Sequence, residues 1–302
     1  MTSFRIGGLP LRRLLAAVMF TAAASASAHA TEGTSVFPDP NRIVAVGGSI
    51  TEIIYALGEE KRLIARDSTS VYPEAAFGLP DVGYMRALSP EGVLSVKPSA
   101  ILALQGSGPK EAVDVLKKAS VPYIEVPDQF GHQGIVDKIM IVGKAIGADD
   151  KAAQLAAKVD ADLKSAEELT ANIADRKRVL FVLSVQDGKI LGSGADTAAD
   201  GIIKLAGGVN AIQGFSGYRQ LSDEAIITAK PDLILMMNRG GNEDHAATEA
   251  QLFSLPAIQS TPAGEKRSFV RMSGSYLLGF GPRTADAIRD LAAKLYGDAI
   301  KQ

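Results

Sequence analysis

The chain has 302 residues, a formal net charge of −2 and no cysteine. This length suits one large domain or two lobes with an ample core, and the missing cysteines exclude disulfides and a lipid-modified N-terminal cysteine. A chain of this charge lacks the basic surface that nucleic acid phosphates require, so no nucleic acid partner is expected.

The first 30 residues predict a cleavable signal peptide, with a positive start at Arg5, Arg12 and Arg13, an apolar run over 14–24 and the cleavage pattern Ala28-His29-Ala30. The run is too short to span a membrane, which takes about 20 residues. A retained N-terminal anchor is the alternative, and the cleavage pattern argues against it. Cleavage removes three arginines and no acidic residue, so the net charge falls from −2 to −5. We expect the mature protein in an exported compartment, most simply a bacterial periplasm.

Residues 31–148 alternate short β-type runs with segments of helical periodicity. Ser89-Pro90 is typical of a helix start, with serine as the N-cap and proline at the first helical position. This alternation predicts an N-terminal lobe with a parallel sheet. The predicted strands are 42–46, 63–65, 100–104 and 122–126, and the predicted helices are 50–57, a short one from Ser89, 111–119 and 133–146.

The next segment predicts one long helix that joins two lobes. Residues 149–174 contain no proline and no glycine, and apolar or alanine positions recur at helical spacing. Asp149 and Asp150 open the segment, where acidic side chains favour a helix N-terminus. About 26 helical residues span roughly 39 Å. We therefore predict an inter-lobe helix within 149–176, which is a stiff connection.

Residues 177–302 predict a second α/β lobe of similar build, so that the fold class is α/β with two similar lobes and a ligand cleft between them. The predicted strands are 178–183, 233–237 and 268–272, and the predicted helices are 197–205, 222–228, 249–254 and 283–296.

An internal repeat supports the two-lobe prediction. Residues 86–102 align without a gap to residues 219–235, and eight of these seventeen positions are identical. A period of 133 residues, the difference between 219 and 86, is far too long for a solenoid and indicates two related halves.

The repeat places Glu91 and Glu224 at equivalent positions, each near the start of a short helix. An acidic residue in a first turn interacts with the helix dipole, worth about 0.3–1 kcal/mol, and this alone explains either residue. It explains less well why the surrounding sequence also recurs. Two matched acids, one in each lobe, suit docking to a pseudo-symmetric partner with two basic patches.

No catalytic constellation is visible, so an enzyme is not expected. The predicted mature chain has two histidines, His132 and His245, and no nucleophile motif of a hydrolase. Two distant histidines without cysteine make a poor zinc or manganese site, and we expect either one to be a surface or loop residue. Export, two lobes and a cleft indicate a binding protein.

Four phrases carry a resemblance to a known family: RIVAVGGSITEIIYALG, LPDVGYMRALSPEGVLSVKPSAIL, DTAADGIIKLAGGVNAIQGF and LLGFGPRT. Together they resemble the periplasmic haem-binding proteins of bacterial haem ABC importers, over 42–296. The wider superfamily includes siderophore and cobalamin binders. The resemblance implies two α/β lobes joined by one long helix, and a glutamate in each lobe, here Glu91 and Glu224, that docks on the permease dimer.

The resemblance also implies a tyrosine ligand for the haem iron, and the matching residue is Tyr84. Tyrosine is an established haem ligand, and ferric iron helps a phenol with a pKa near ~10 to ionise. Arg86, two residues on, is expected to point to the same side and stabilise the phenolate. A lone tyrosine is more often an aromatic residue packed on a cleft wall, and Tyr72 is the second candidate ligand.

Some members of the family pair this tyrosine with a histidine of the second lobe, after its first strand. That region here reads Leu183-Ser184-Val185-Gln186-Asp187, without histidine, so we expect one protein ligand and five-coordinate iron. His245 is a weaker candidate for the other face. Candidates to bind the haem propionates are Arg86, Arg239, Arg66 and Tyr218. We expect a monomer that carries haem as its transported ligand.

Overall fold

The structure is a computed structural model that describes residues 1–3, 36–238 and 245–300, apart from the side chain of His245. The predicted signal peptide therefore lies almost wholly outside the described residues. No helix in the described ranges is long and apolar enough to cross a membrane.

The described chain alternates strands and helices through both halves. The strands are β1 Ile43–Val46, β2 Leu63–Arg66, β3 Ala100–Leu104, β4 Tyr123–Val126, β5 Arg178–Gln186, β6 Lys189–Ser193, β7 Val209–Asn210, β8 Tyr218–Gln220, β9 Leu233–Asn238 and β10 Phe269–Ser273. The α-helices are α1 Gly48–Ala56, α2 Pro90–Ser95, α3 Lys110–Lys118, α4 His132–Ala145, α5 Asp149–Glu168, α6 Ala198–Leu205, α7 Asp223–Ala229, α8 His245–Ser254, α9 Pro256–Gln259, α10 Pro262–Glu265, α11 Gly274–Leu278 and α12 Thr284–Tyr296. Short 3₁₀ helices cover Glu60–Arg62, Glu74–Gly78 and Gly297–Ile300.

The first lobe contains a four-stranded parallel sheet in the order β2-β1-β3-β4. Every residue of β1 and β3 is buried, as expected for parallel strands covered by helices on both faces. The helices of this lobe are α1 to α4. The fold class predicted from the alternating pattern is confirmed for this lobe.

The second lobe has a mixed sheet, and here the prediction of a simple repeat was incomplete. Strands β10, β9, β5 and β7 are parallel, whereas β6 pairs antiparallel with β5 and with β8. The β5–β6 hairpin turns at Asp187 and Gly188, with φ of 50° and 73°. Two positive φ angles give the turn type that matches strand twist, and Asp-Gly is a strong sequence signal for it.

The two lobes share one topology apart from that hairpin. The order β2-β1-β3-β4 corresponds to β7-β5-β9-β10. The repeated sequence forms the same unit twice: a short helix capped by Ser89 or Ser222, a left-handed residue, and a buried strand. Lys97 and Lys230 are those left-handed residues, with φ of 54° and 45°. The repeat is therefore a repeat of structure.

The long helix α5 ends at Glu168, earlier than the predicted range of 149–176. The backbone amides of Thr170 and Ala171 bond three residues back, to Glu167 and Glu168, and such bonds tighten and close a helix end. Helix α5 packs on α4 of the first lobe and on α12 of the second. The larger of two buried apolar clusters contains residues of both lobes and of this layer of helices, and the smaller lies in the second lobe.

Candidate functional site

The candidate site lies at the carboxyl ends of the parallel strands, where open α/β sheets bind ligands. In the first lobe the long connection from β2 to α2 emerges at this edge and carries both Tyr84 and Arg86. Asp81 holds the connection in place, because its carboxylate accepts from the Arg66 guanidinium at 2.9 Å and from the Gly83 amide at 2.8 Å. Gly83 has a φ of 102°, a backbone region that favours glycine.

The side chains of 84–86 alternate between cleft and core. Met85 is buried, and its carbonyl accepts from the Gly108 amide at 2.8 Å. Tyr84 is 44% exposed, Arg86 is also exposed, and Arg86 Nη1 donates to Tyr84 Oη at 3.3 Å. A guanidinium bonded to a phenol oxygen stabilises negative charge on that oxygen. Arg86 therefore lies on the same side as Tyr84, as the two-residue spacing predicts.

Tyr218, on β8, is the residue of the second lobe that interacts with Arg86. The positive charge on Arg86, in the first lobe, acts to lower the pKa of the Tyr218 phenol. Burial raises the pKa of Tyr218, and the Thr197 hydroxyl, the Ala199 amide and Arg86 oppose this only in part. Its ring meets Phe181 edge-on at 6.3 Å between centroids. Tyr218 is therefore a neutral phenol at the N-terminus of α6, beside the cleft.

Exposure to solvent separates two of the tyrosines from the others. All seven tyrosines lie in the described ranges. Burial raises the pKa of five of them, to about 12 for Tyr123, and for Tyr276 a hydrogen bond to Asp290 adds to the effect. Tyr72 and Tyr84 are the most exposed tyrosines, at 43% and 44%. These are the two residues that the sequence selected as candidate ligands.

Tyr72 and Arg66 have protein partners that sequence reasoning did not foresee. The Tyr72 ring lies 3.5 Å from the guanidinium carbon of Arg283, in a cation–π contact with the second lobe. Arg66 is 7% exposed, and its guanidinium donates to Asp81, to the Asp67 carbonyl and to the Ala76 carbonyl. Arg66 therefore holds the loop that carries Tyr84, and its donors point to protein oxygens.

Glu91 and Glu224 occupy the same place in the two lobes. Each is exposed and lies in the first turn of its helix, next to a serine N-cap that accepts an amide hydrogen bond. Neither carboxylate forms an ion pair with any residue that the structure describes. The two charges are therefore free to meet an external partner.

His132 differs from the expectation of a surface or loop residue. His132 begins α4 and is half-buried, with Nε2 at 2.9 Å from Asp160 and Nδ1 at 2.9 Å from Glu167. Both carboxylates belong to α5, so this ring ties α4 to the long helix. The expectation was wrong because the partners lie 28 and 35 residues away in sequence. The candidate Arg239 and the side chain of His245 lie outside the described residues.

Comparison with known proteins gives the family. A model described as "Periplasmic binding protein" matches residues 43–276. The chain is 27% identical over 311 residues to an uncharacterised ABC transporter substrate-binding lipoprotein, YvrC, of Bacillus subtilis, over 96% of each chain. It is also 27% identical over 267 residues to a vitamin B12-binding protein of Yersinia pestis, over 84% of each.

Solved structures agree with this placement. The periplasmic heme-binding protein BhuT, in complex with two hemes, is 37% identical with a TM-score of 0.79, over 86% of this chain and 98% of BhuT. The apo form of the periplasmic heme-binding protein RhuT from Roseiflexus sp. RS-1 is 35% identical with a TM-score of 0.80, over 86% and 99%. These relatives are transport proteins and not enzymes. The chain belongs to the periplasmic binding protein family, as a substrate-binding protein of an ABC transporter.

Proposed function

We propose that this protein captures haem in the cleft between its lobes and delivers it to an inner-membrane ABC permease, with Tyr84 as the ligand of the haem iron. The observation that carries the proposal is the exposed Tyr84 phenol with the Arg86 guanidinium on its oxygen. A phenolate is a hard anionic oxygen ligand suited to ferric iron, and tyrosine is an established haem ligand. The likeness to BhuT and RhuT, both named heme-binding, supports the same ligand class.

The connection that carries Tyr84 also presents apolar side chains that can contact a flat apolar ligand. Val71, Tyr72 and Phe77 are 37%, 43% and 56% exposed and belong to the same connection as Tyr84. Apolar and aromatic side chains on a cleft wall, with a few placed polar groups, are typical of a small-molecule site. In this proposal the haem face packs on this wall and its iron meets Tyr84.

The propionates need cationic or hydrogen-bonding partners, and Arg86 is the best placed of the four candidates. It is exposed, its guanidinium donates to the Tyr84 phenol, and its charge acts to lower the pKa of Tyr218. Tyr218 is a neutral donor beside it, whereas Arg66 is occupied by protein oxygens. Arg239 stays a candidate from the sequence, as does His245 for the second face of the iron. We keep a single protein ligand and five-coordinate iron.

Replacement of Arg86 tests its role. We expect haem affinity to decrease in the order wild type, Arg86→Lys, Arg86→Gln, with a loss of roughly tenfold for glutamine, because a charge-assisted bond is lost. Lysine keeps the charge but loses the planar fork of donors. Absorption titrations with haemin at one pH give the three dissociation constants. If Arg86→Gln and the wild type bind haem with equal affinity, Arg86 does not contribute to haem binding.

The matched glutamates are proposed to dock on basic residues of the permease dimer, one from each lobe. In the variant Glu91→Gln/Glu224→Gln we expect the affinity for the permease to decrease by roughly tenfold and its salt dependence to flatten, as for lost complementary charges. Haem affinity is expected to stay unchanged. Glu111→Gln, which also removes an exposed first-turn acid of a helix, is the matched control. Unchanged docking by the double variant would leave the two glutamates as helix-capping residues.

The remaining parts of the proposal concern the mature protein. We propose export by the signal peptide at 1–30, a periplasmic location, and a monomer with lobes at 31–148 and 177–302 joined by the helix within 149–176. The names of the relatives, periplasmic proteins and a lipoprotein, support a location outside the cytoplasm.

A cobalamin is the second candidate ligand, and the 27% identity to a vitamin B12-binding protein favours it. A siderophore is the third, from the wider superfamily. Parallel binding titrations of the purified chain from residue 31 with haemin and with cyanocobalamin distinguish the first two. We expect saturable haemin binding with a shifted Soret band and no saturable cobalamin binding. The opposite pattern would assign the cleft to cobalamin and Tyr84 to the cleft wall.

A further inference from the structure

The segment between α11 and α12, residues 279–283, lies where the second lobe meets the first. Phe280, in this segment, has a φ of 47° and is 1% exposed. Its ring meets Phe130 of the first lobe edge-on at 5.3 Å between centroids. A bulky residue keeps a left-handed backbone only where its surroundings determine it strongly. The first lobe provides those surroundings through two charged side chains.

The first is Lys138 of α4, which is 1% exposed. Its ammonium donates to the Asp128 carboxylate at 2.6 Å, to the Phe280 carbonyl at 3.2 Å and to the Ser49 hydroxyl at 3.4 Å. All three donors of the lysine therefore have acceptors. Burial lowers the pKa of Lys138, and Asp128 opposes this shift. A buried lysine of the first lobe thus holds a backbone carbonyl of the second.

The second is Glu52 of α1, which is 7% exposed. Its carboxylate accepts from the Arg283 backbone amide at 3.1 Å and from the Arg283 guanidinium at 2.8 Å. The guanidinium carbon of Arg283 also lies 3.5 Å from the ring centroid of Tyr72, another residue of the first lobe. Arg283 precedes α12, so Glu52 fixes the start of a helix that packs on α5.

We propose that Lys138, Asp128, Glu52 and Arg283 form an interlobe clasp that sets the width of the ligand cleft. Lys138, paired with Asp128, holds the Phe280 carbonyl, and Glu52 holds Arg283. Two points of the segment 279–283 are thus fixed to the first lobe, so the second lobe keeps one orientation to the first. The four residues act through the positions of Tyr84 and Tyr218 and are positioning residues. Their effect on haem affinity rests on the proposed function, whereas their effect on lobe orientation does not.

Distance measurement between the lobes tests the clasp without any ligand. The chain has no cysteine, so spin labels can be attached through Lys118→Cys on α3 and Thr228→Cys on α7, two exposed positions in different lobes. Pulsed electron paramagnetic resonance then gives the interlobe distance distribution. The test variants are Glu52→Gln, which keeps the shape of the side chain, and Lys138→Met/Asp128→Asn, which removes both charges of the buried pair together. The matched control is Lys110→Met/Asp114→Asn, an exposed pair within α3.

We expect one narrow distribution for the unmodified chain and for the control. In each clasp variant we expect a second, displaced population above roughly 10%, beyond the about 0.1–10% typical of minor native states. For haem we expect a roughly tenfold weaker affinity, in the range of coupling between separate sites, with the spectrum of the bound iron unchanged. If Lys138→Met/Asp128→Asn does not fold, Glu52→Gln decides alone. A folded Glu52→Gln protein with the single narrow distribution of wild type would overturn the clasp, and the haem proposal would stand.

Discussion

Replacing Tyr84 with phenylalanine is expected to weaken haem binding by at least roughly 100-fold, because outer-shell partners of a metal already contribute 10–100-fold. The variant loses one hydroxyl and keeps the ring on the cleft wall. We expect the phenolate-to-iron charge-transfer band to disappear from the visible spectrum of the complex. Absorption titration with haemin gives both the affinity and the band.

Two further tyrosine variants make this result specific. Tyr55→Phe removes a hydroxyl from the C-terminal end of α1, the end of that helix farther from the cleft, and is expected to bind haem as wild type does. Tyr72→Phe tests the second candidate ligand, and we expect it to keep the charge-transfer band. If the charge-transfer band is lost in Tyr72→Phe and kept in Tyr84→Phe, the iron ligand is Tyr72 and not Tyr84.

Replacing Lys138 with methionine is expected to lower the free energy of unfolding by about 3–5 kcal/mol, since removing one partner of a buried ion pair leaves the other charge unpaired. Asp128, the charge left behind, has a side chain that is only 19% exposed. The Phe280 carbonyl also loses its donor from the first lobe. Urea unfolding followed by circular dichroism measures the difference.

The expected loss of the free energy of unfolding depends on the burial of the lysine, so replacement of an exposed lysine is the control. Lys110→Met removes a lysine whose side chain is 81% exposed and pairs with Asp114 one turn away, and we expect no measurable loss of the free energy of unfolding, because exposed ion pairs contribute little. The double variant Lys138→Met/Asp128→Asn is expected to recover part of the loss, because no unpaired charge remains. A loss for Lys138→Met no larger than for Lys110→Met would contradict the buried clasp.

Local signals in the sequence predicted most of the fold. Buried strands such as β3 were placed correctly, because a run of apolar residues between turn signals has few other interpretations. The helix starts at Ser89 and Ser222 carry their own capping chemistry. The predicted long helix extended beyond its observed end. That end is closed by backbone hydrogen bonds from residues 170 and 171 to the carbonyls three residues back, and no proline or glycine marks it in the sequence. Asp187-Gly188 is a hairpin signal in the sequence, and the strand β6 that follows it was not predicted.

The candidate site was predictable only where its residues are close in sequence. Tyr84 and Arg86 are two residues apart, so their shared side follows from an extended backbone. Glu52 and Arg283 are 231 residues apart, and Lys138 and Phe280 are 142 apart. No periodicity predicts such pairs, because they form only when the two lobes pack together. Arg66 was predicted to bind a propionate. In the structure its guanidinium donates to Asp81 and to the Ala76 carbonyl, and the sequence alone does not show these hydrogen bonds.

The central proposal is that Tyr84 binds the iron of haem in this cleft, and resonance Raman spectroscopy of the ferric haem complex tests it most directly. Excitation in the charge-transfer band enhances vibrations of a phenolate that is bound to iron. We predict these phenolate bands in the wild-type complex and their loss in Tyr84→Phe. A wild-type complex without phenolate bands, or bands that persist in Tyr84→Phe, would contradict the proposal.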